Sequence, residues 1–126
     1  SLIGARLTTV EPGRCVIELP ARDDLTQQHG FVHGGVVGMI ADSAGGYAGF
    51  TLMPADASVL TVEYKINMLA PAAGDLLIAI GEVLKPGRTL SIVRAEVFGV
   101  QGDRRTRVAA MQQTLMVMHG VADEKI

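Results

Sequence analysis

The chain has 126 residues, enough for one domain, and 48% of them are apolar, which argues against intrinsic disorder. A net charge of −2 argues against nucleic-acid binding driven by basic charge. The single cysteine, Cys15, excludes an internal disulfide and fits a reducing, cytoplasmic setting.

The opening SLIGARLTTV carries no visible targeting signal, because an early Gly and Arg interrupt its apolar residues. Residues 2–10 and 14–19 pattern as two short strands joined by the turn sequence EPG, and Pro20 ends the second. The polar ARDDLTQQHG that follows reads as a loop with a short helical turn. Next comes a long apolar run, expected to form one helix from Gly34 to Met53 and to stop at Pro54. Such a helix is about 30 Å long. A short membrane span would have that length, but Asp42 lies inside the run, and a carboxylate at a bilayer centre costs roughly 2.5–3.5 kcal/mol. No membrane span is expected. Val36, Val37, Ile40, Ala44, Tyr47 and Phe50 point all round the helix, which predicts burial on every side. Gly38, Gly45, Gly46 and Gly49 each forgo about 1 kcal/mol of helix propensity against Ala, so something is expected to pack tightly on the backbone there.

After Pro54 the period changes to two. In SVLTVEYKINML, Leu60, Val62, Tyr64, Ile66 and Met68 are expected on one face, and Thr61, Glu63, Lys65 and Asn67 on the other. APAAGD is a turn, LLIAIGEVLK a strand, KPGR a tight turn, TLSIVRAEVFGV a strand, QGDR another turn and RTRVAAMQQTLMVMH a long last strand, with GVADEKI as a frayed tail. Short turns imply antiparallel neighbours. The prediction is one α+β domain over residues 1–126, a curved six-stranded antiparallel sheet around one long central helix. One helix covers one face. The other face, to which Val93, Ala95 and Val97 are assigned, is partly apolar and predicts self-association.

HGG (His33, Gly34, Gly35) opens the helix. Glycines there let a ligand approach the unpaired first-turn N–H groups at the positive end of the helix dipole, a setting for an oxyanion or a polarised carbonyl. The plainer reading is a tight turn into the helix with no ligand. Asp42 is the only charge between Gly34 and Met53. A buried carboxylate is costly unless paired, which favours a functional role over a structural one. Asp42 lies eight residues after Gly34, about 12 Å along the axis, so one carbonyl cannot meet both groups of the same helix. If both act on one substrate, a second chain must bring its Asp42 to the first chain's Gly34, as a symmetric dimer with antiparallel helices would do twice.

The stretch GFVHGGVVGMIADSAGGYA resembles the helix motif of the hotdog-fold acyl-CoA thioesterases of the phenylacetic-acid-degradation type, HGG with an acid seven residues after the second glycine. TVEYKINMLAPAAGD and GRTLSIVRAEV resemble that family's next strand and later hairpin, so the likeness spans about Arg14 to Val117. It implies that Gly34 offers its N–H to the thioester carbonyl, with Gly35 beside it. Asp42 of the opposing subunit would be nucleophile or general base. Thr61 stands where the family often has a Ser or Thr that helps place the water. Gln27 stands where many members have Asn. An aryl-CoA branch has Gln there with the acid fifteen residues later, as here, but uses Glu where this chain has Asp42. His33 is expected to orient the loop and not to act as a base. Arg88 and Thr89 resemble positions near the CoA phosphates, against the plainer reading of an exposed turn. Arg104, Arg105 and Arg107 are a second option for a phosphate, against that of a charged edge strand. Met39 or Met68 could line an acyl tunnel.

The resemblance implies an acyl-CoA substrate, no cofactor beyond the CoA that the substrate carries, and a homodimer that assembles into a dimer of dimers. No metal is expected, since His29 and His119 lack ligand spacing and no Cys/His cluster exists. Two alternatives are an acyl-thioester hydratase, which would need a His–acid pair with different spacing, and a non-catalytic acyl-CoA sensor, a type that tends to lack the acid.

Overall fold

The computed structural model describes residues 4–26 and 30–120, so the role expected of Gln27 and the tail beyond residue 120 lie outside the described residues. Strands β1 (Arg6–Glu11) and β2 (Arg14–Pro20) are followed by a short 3-10 turn (Asp23–Leu25) and helix α1 (Gly34–Phe50). Strands β3 (Ser58–Met68), β4 (Leu76–Lys85), β5 (Leu90–Gln101) and β6 (Arg104–Met118) complete the described chain. The strands form one antiparallel sheet in the order β1-β2-β4-β5-β6-β3, as expected for the α+β architecture. The turns at EPG, KPGR and QGDR join sheet neighbours, while α1 carries the chain from β2 to the far edge, where β3 lies.

α1 packs on one sheet face. Ile17 and Leu19 of β2, Leu77 and Ala79 of β4, Ala95 and Val97 of β5 and Met111 of β6 form the core with Val37, Ile40, Ala41 and Ala44 of the helix. Val93 is also fully buried, beside Ala48 and Leu115. This corrects the assignment of Val93, Ala95 and Val97 to the outer face. That face carries their alternates, including Arg94 and Glu96, with Arg94 paired to Glu82 and Glu96 and Arg107 paired to Glu96.

The helix ends at Phe50, three residues before the expected Met53. Thr51 explains the early stop. Its hydroxyl donates to the Ala48 carbonyl at 2.6 Å and accepts from Gly13 N–H at 2.8 Å, tying the helix end to the β1–β2 turn. Leu52 and Met53 then donate to carbonyls three residues back, a tightened final turn. Nor is the helix buried on every side. His33, Gly34, Gly35 and Met39 are exposed, because β3 lies along that flank as the sheet's edge.

Strand β3 departs from strict alternation. Thr61 pairs with Leu115, but Glu63 pairs with Thr114, leaving Val62 as the extra residue of a bulge. The bulge reverses the phase. Thr61 therefore shares its face with Tyr64, Ile66 and Met68, not with Glu63 and Lys65, and that face is turned to the helix. The expected tight packing on helix glycines holds at two positions. A Cβ on Gly45 would strike the Gln113 amide, and one on Gly49 would strike Leu115. Gly38 has ordinary room beside Tyr64, and Gly46 has nothing within 4 Å.

Candidate active site

Helix α1 and strand β3 run side by side in opposite directions. Gly34 lies beside Met68, Gly38 beside Tyr64, and Asp42 beside Thr61. The two half-sites read from the sequence therefore sit at opposite ends of one exposed seam.

At the glycine end, His33 is the N-cap, with extended backbone dihedrals of φ −58° and ψ 137°. Its Nδ1 accepts the Gly35 N–H at 2.9 Å. Its carbonyl accepts from Val36 and Val37, and its own N–H donates to the Leu25 carbonyl. His33 is thus tied into the loop at three points. One first-turn donor is left over: among the described residues nothing accepts from the Gly34 N–H. Beside it opens an apolar cavity of about 260 Å³ lined by Phe31, Val37, Met68, Pro71 and Val108. Met68 thus lines a cavity at the site, whereas Met39 lies 46% exposed on the open helix flank.

At the acid end, Asp42 is partly buried. Thr61 Oγ1 donates to Asp42 Oδ1 at 2.9 Å. Gln113 Nε2 donates to the same oxygen, and lies 3.2 Å from Thr61 Oγ1 and 3.3 Å from the Asp42 carbonyl. Oδ2 has no partner among the described residues. The carboxylate is thus gripped by one oxygen, Oδ1. Thr61, expected from the resemblance to help place a water, thus touches the acid itself.

Gln113 was not singled out from the sequence. A signal existed: it is a lone amide in the inward-facing series Ala109, Met111, Gln113, Leu115, Val117 of β6, and only 1% exposed.

Arg88 and Thr89 occupy the exposed turn between β4 and β5. Their carbonyls accept from His119 Nε2 and from the Val117 N–H, and among the described residues the side chains of Arg88 and Thr89 make no hydrogen bond. The turn lies beyond the strand ends nearer to Thr61 than to Met68, since Leu90 pairs with Met116. Arg105 stacks over Phe98 at 5.0 Å, and Arg107 pairs with Glu96, which fits the charged-strand reading for both. Among the described residues no group of three or more His, Cys, Asp or Glu could hold a metal ion, and no helix is long and apolar enough to cross a membrane.

A single helix laid across a six-stranded antiparallel sheet in this order defines the hotdog class of enzymes. The chain belongs to the Thioesterase superfamily, whose sequence profile matches residues 29–106. It is similar to a solved thioesterase family protein from Silicibacter pomeroyi, at 45% identity and TM-score 0.93 over 94% of this chain and 88% of that one. A protein of Saccharolobus solfataricus with a provisional esterase name is 33% identical over 79% of this chain and 71% of its own length. The 1,4-dihydroxy-2-naphthoyl-CoA hydrolase of Listeria monocytogenes is 28% identical over 71% of this chain and 73% of its own. The superfamily's activity is thioester hydrolysis.

Proposed function

We propose that this chain hydrolyses an aryl- or medium-chain acyl-CoA to the free acid and CoA, at a site shared by two copies, within the phenylacetic-acid-degradation-type branch. The observation that carries the reading is a pair of groups at opposite ends of the α1–β3 seam, the Gly34 N–H and Asp42 Oδ2, neither of which has a hydrogen-bond partner among the described residues. Eight residues separate them, about 12 Å of helix. Two chains aligned antiparallel along this seam would bring each Gly34 to the other's Asp42. The edge position of β3 supports that pairing. An uncovered edge strand exposes unpaired backbone groups, and here Leu60, Val62, Tyr64 and Met68 are about half exposed. A dimer of dimers is the expected assembly.

In the proposed reaction the Gly34 N–H donates to the thioester oxygen as negative charge develops on it. Asp42 of the opposing copy drives the attack through Oδ2. As general base it takes a proton from water, whose oxygen bonds to the carbonyl carbon. As nucleophile, Oδ2 bonds to that carbon first, and water then hydrolyses the resulting anhydride. In both routes the carbon–sulfur bond breaks, its electron pair leaves with sulfur, and the CoA thiolate takes up a proton. Gln27, by its place in the motif, is a second donor to the carbonyl. Gly35 lends a small backbone beside Gly34. Arg88 and Thr89 contact the CoA phosphates. No cofactor is required, since CoA is part of the substrate. The Listeria relative acts on an aryl-CoA, which supports an aryl group in the cavity beside Gly34. The buried Cys15 thiol, its pKa raised by desolvation, fits a reducing cytoplasm.

The test is Asp42→Asn and Asp42→Ala, assayed on phenylacetyl-, hydroxybenzoyl- and straight-chain acyl-CoAs. Both should lower kcat at least about a hundredfold, with fold and oligomer retained. Wild-type turnover in both variants would contradict the catalytic role and leave an acyl-CoA sensor as the better reading.

A further inference from the structure

We infer that Gln113 is a positioning residue for thioester hydrolysis, holding the Asp42 carboxylate by Oδ1 so that Oδ2 faces the substrate; this rests on the catalytic role proposed for Asp42. Gln113 lies in a row where its β5 partner is Val93 and its β3 partner is Tyr64. Every other inward side chain of β6 from Ala109 to Val117 is apolar. A buried amide there loses its water and must be repaid by hydrogen bonds, and Gln113 is repaid on one side only. Its Nε2 serves Asp42 and Thr61, while its Oε1 is buried without a partner among the described residues. An unsatisfied buried acceptor costs about 1–3 kcal/mol. An apolar residue of the same length would avoid that cost. The amide's return is therefore at Asp42, not in the core.

Two further features fit this role. Gly45 makes room for the amide, since any Cβ there would overlap Gln113 Oε1 and come within 3.3 Å of its Cδ. The chain thus gives up helix propensity one turn from Asp42 at the point where Gln113 arrives. Moreover, Gln113 and Thr61 share one acceptor oxygen, so they fix the carboxylate and leave the second oxygen without a partner among the described residues.

The experiment measures kcat and KM, with thermal unfolding beside them, for Gln113→Met, Gly45→Ala and Asp42→Asn on whichever acyl-CoA of the panel the wild type turns over fastest. Gln113→Met should lower kcat about tenfold or more with KM little changed. Gly45→Ala leaves Asp42, Thr61 and Gln113 in the sequence but displaces the amide, the flexible end of its side chain, so its kcat should also fall with KM little changed. If Gln113→Met does not fold, Gly45→Ala decides alone. If Asp42→Asn is inactive while both other variants keep the wild-type kcat, the positioning role is overturned and the catalytic reading stands. If Asp42→Asn is fully active, both fall together.

Discussion

Replacing Gly34 by proline removes one hydrogen atom's worth of chemistry, the N–H assigned to the thioester oxygen, and the structure allows it at small structural cost. Gly34 is the first residue of α1, where an N–H has no helical acceptor and proline is well tolerated. His33 before it already has φ −58° and ψ 137°, the extended backbone that a following proline requires. A Cβ at Gly34 would come no closer than 3.5 Å to Met68, an ordinary contact. Stability should stay level or rise by about 0.4–1 kcal/mol, because proline restricts the unfolded chain. Activity should collapse. Deleting one preorganised oxyanion donor costs about 2.7–4 kcal/mol of transition-state stabilisation, a loss of about 10²–10³ in kcat. Thermal unfolding and steady-state hydrolysis of acyl-CoA, followed by release of free thiol, measure the two effects separately. A Gly34→Pro protein that folds, assembles and keeps the wild-type kcat would refute the assignment of the carbonyl to this N–H.

Two further predictions address the acid end and the packing of the helix. Thr61→Val keeps the shape but deletes the 2.9 Å hydrogen bond to Asp42 Oδ1; kcat should fall about tenfold, near the low end of what a hydrogen bond to a charged group contributes, and steady-state kinetics will show it. Gly46→Ala should stabilise by up to about 1 kcal/mol, since its Cβ meets open space, whereas Gly49→Ala should destabilise by about 1–2 kcal/mol as its Cβ drives into Leu115 against that gain. Urea unfolding of the pair measures the difference, and equal effects would contradict the packing described around α1.

Much of this was legible in the sequence because local chemistry and global fold agree. EPG, KPGR and QGDR are turns with the residues that turns need, and the strands between them alternate, so the antiparallel sheet could be read directly. HGG and Asp42 stood out as glycines at a helix start and a lone acid in an apolar run. The bulge at Val62 was not legible. No Gly or Pro marks it, and Leu60, Val62, Tyr64, Ile66 and Met68 alternate without a break, so only pairing with β6 shows that Thr61 turns inward. In β5 both alternating sets contain apolar residues, but Arg94 and Glu96 fall in the set opposite Val93, Ala95 and Val97; that charge was the cue to which face is wet. Gln113 was missed for a related reason. A single amide in a strand reads as surface until the strand's inward parity is known.

The central claim is that one active site draws Gly34 from one chain and Asp42 from another. The most direct measurement is complementation. Gly34→Pro and Asp42→Asn chains carrying different tags are co-expressed, and the mixed dimer is isolated through both tags. Each parent homodimer has two disabled sites. The mixed dimer has one intact site, with Gly34 from the Asp42→Asn chain and Asp42 from the Gly34→Pro chain, so the account predicts about half of the wild-type kcat per dimer. A mixed dimer no more active than its parents would contradict it.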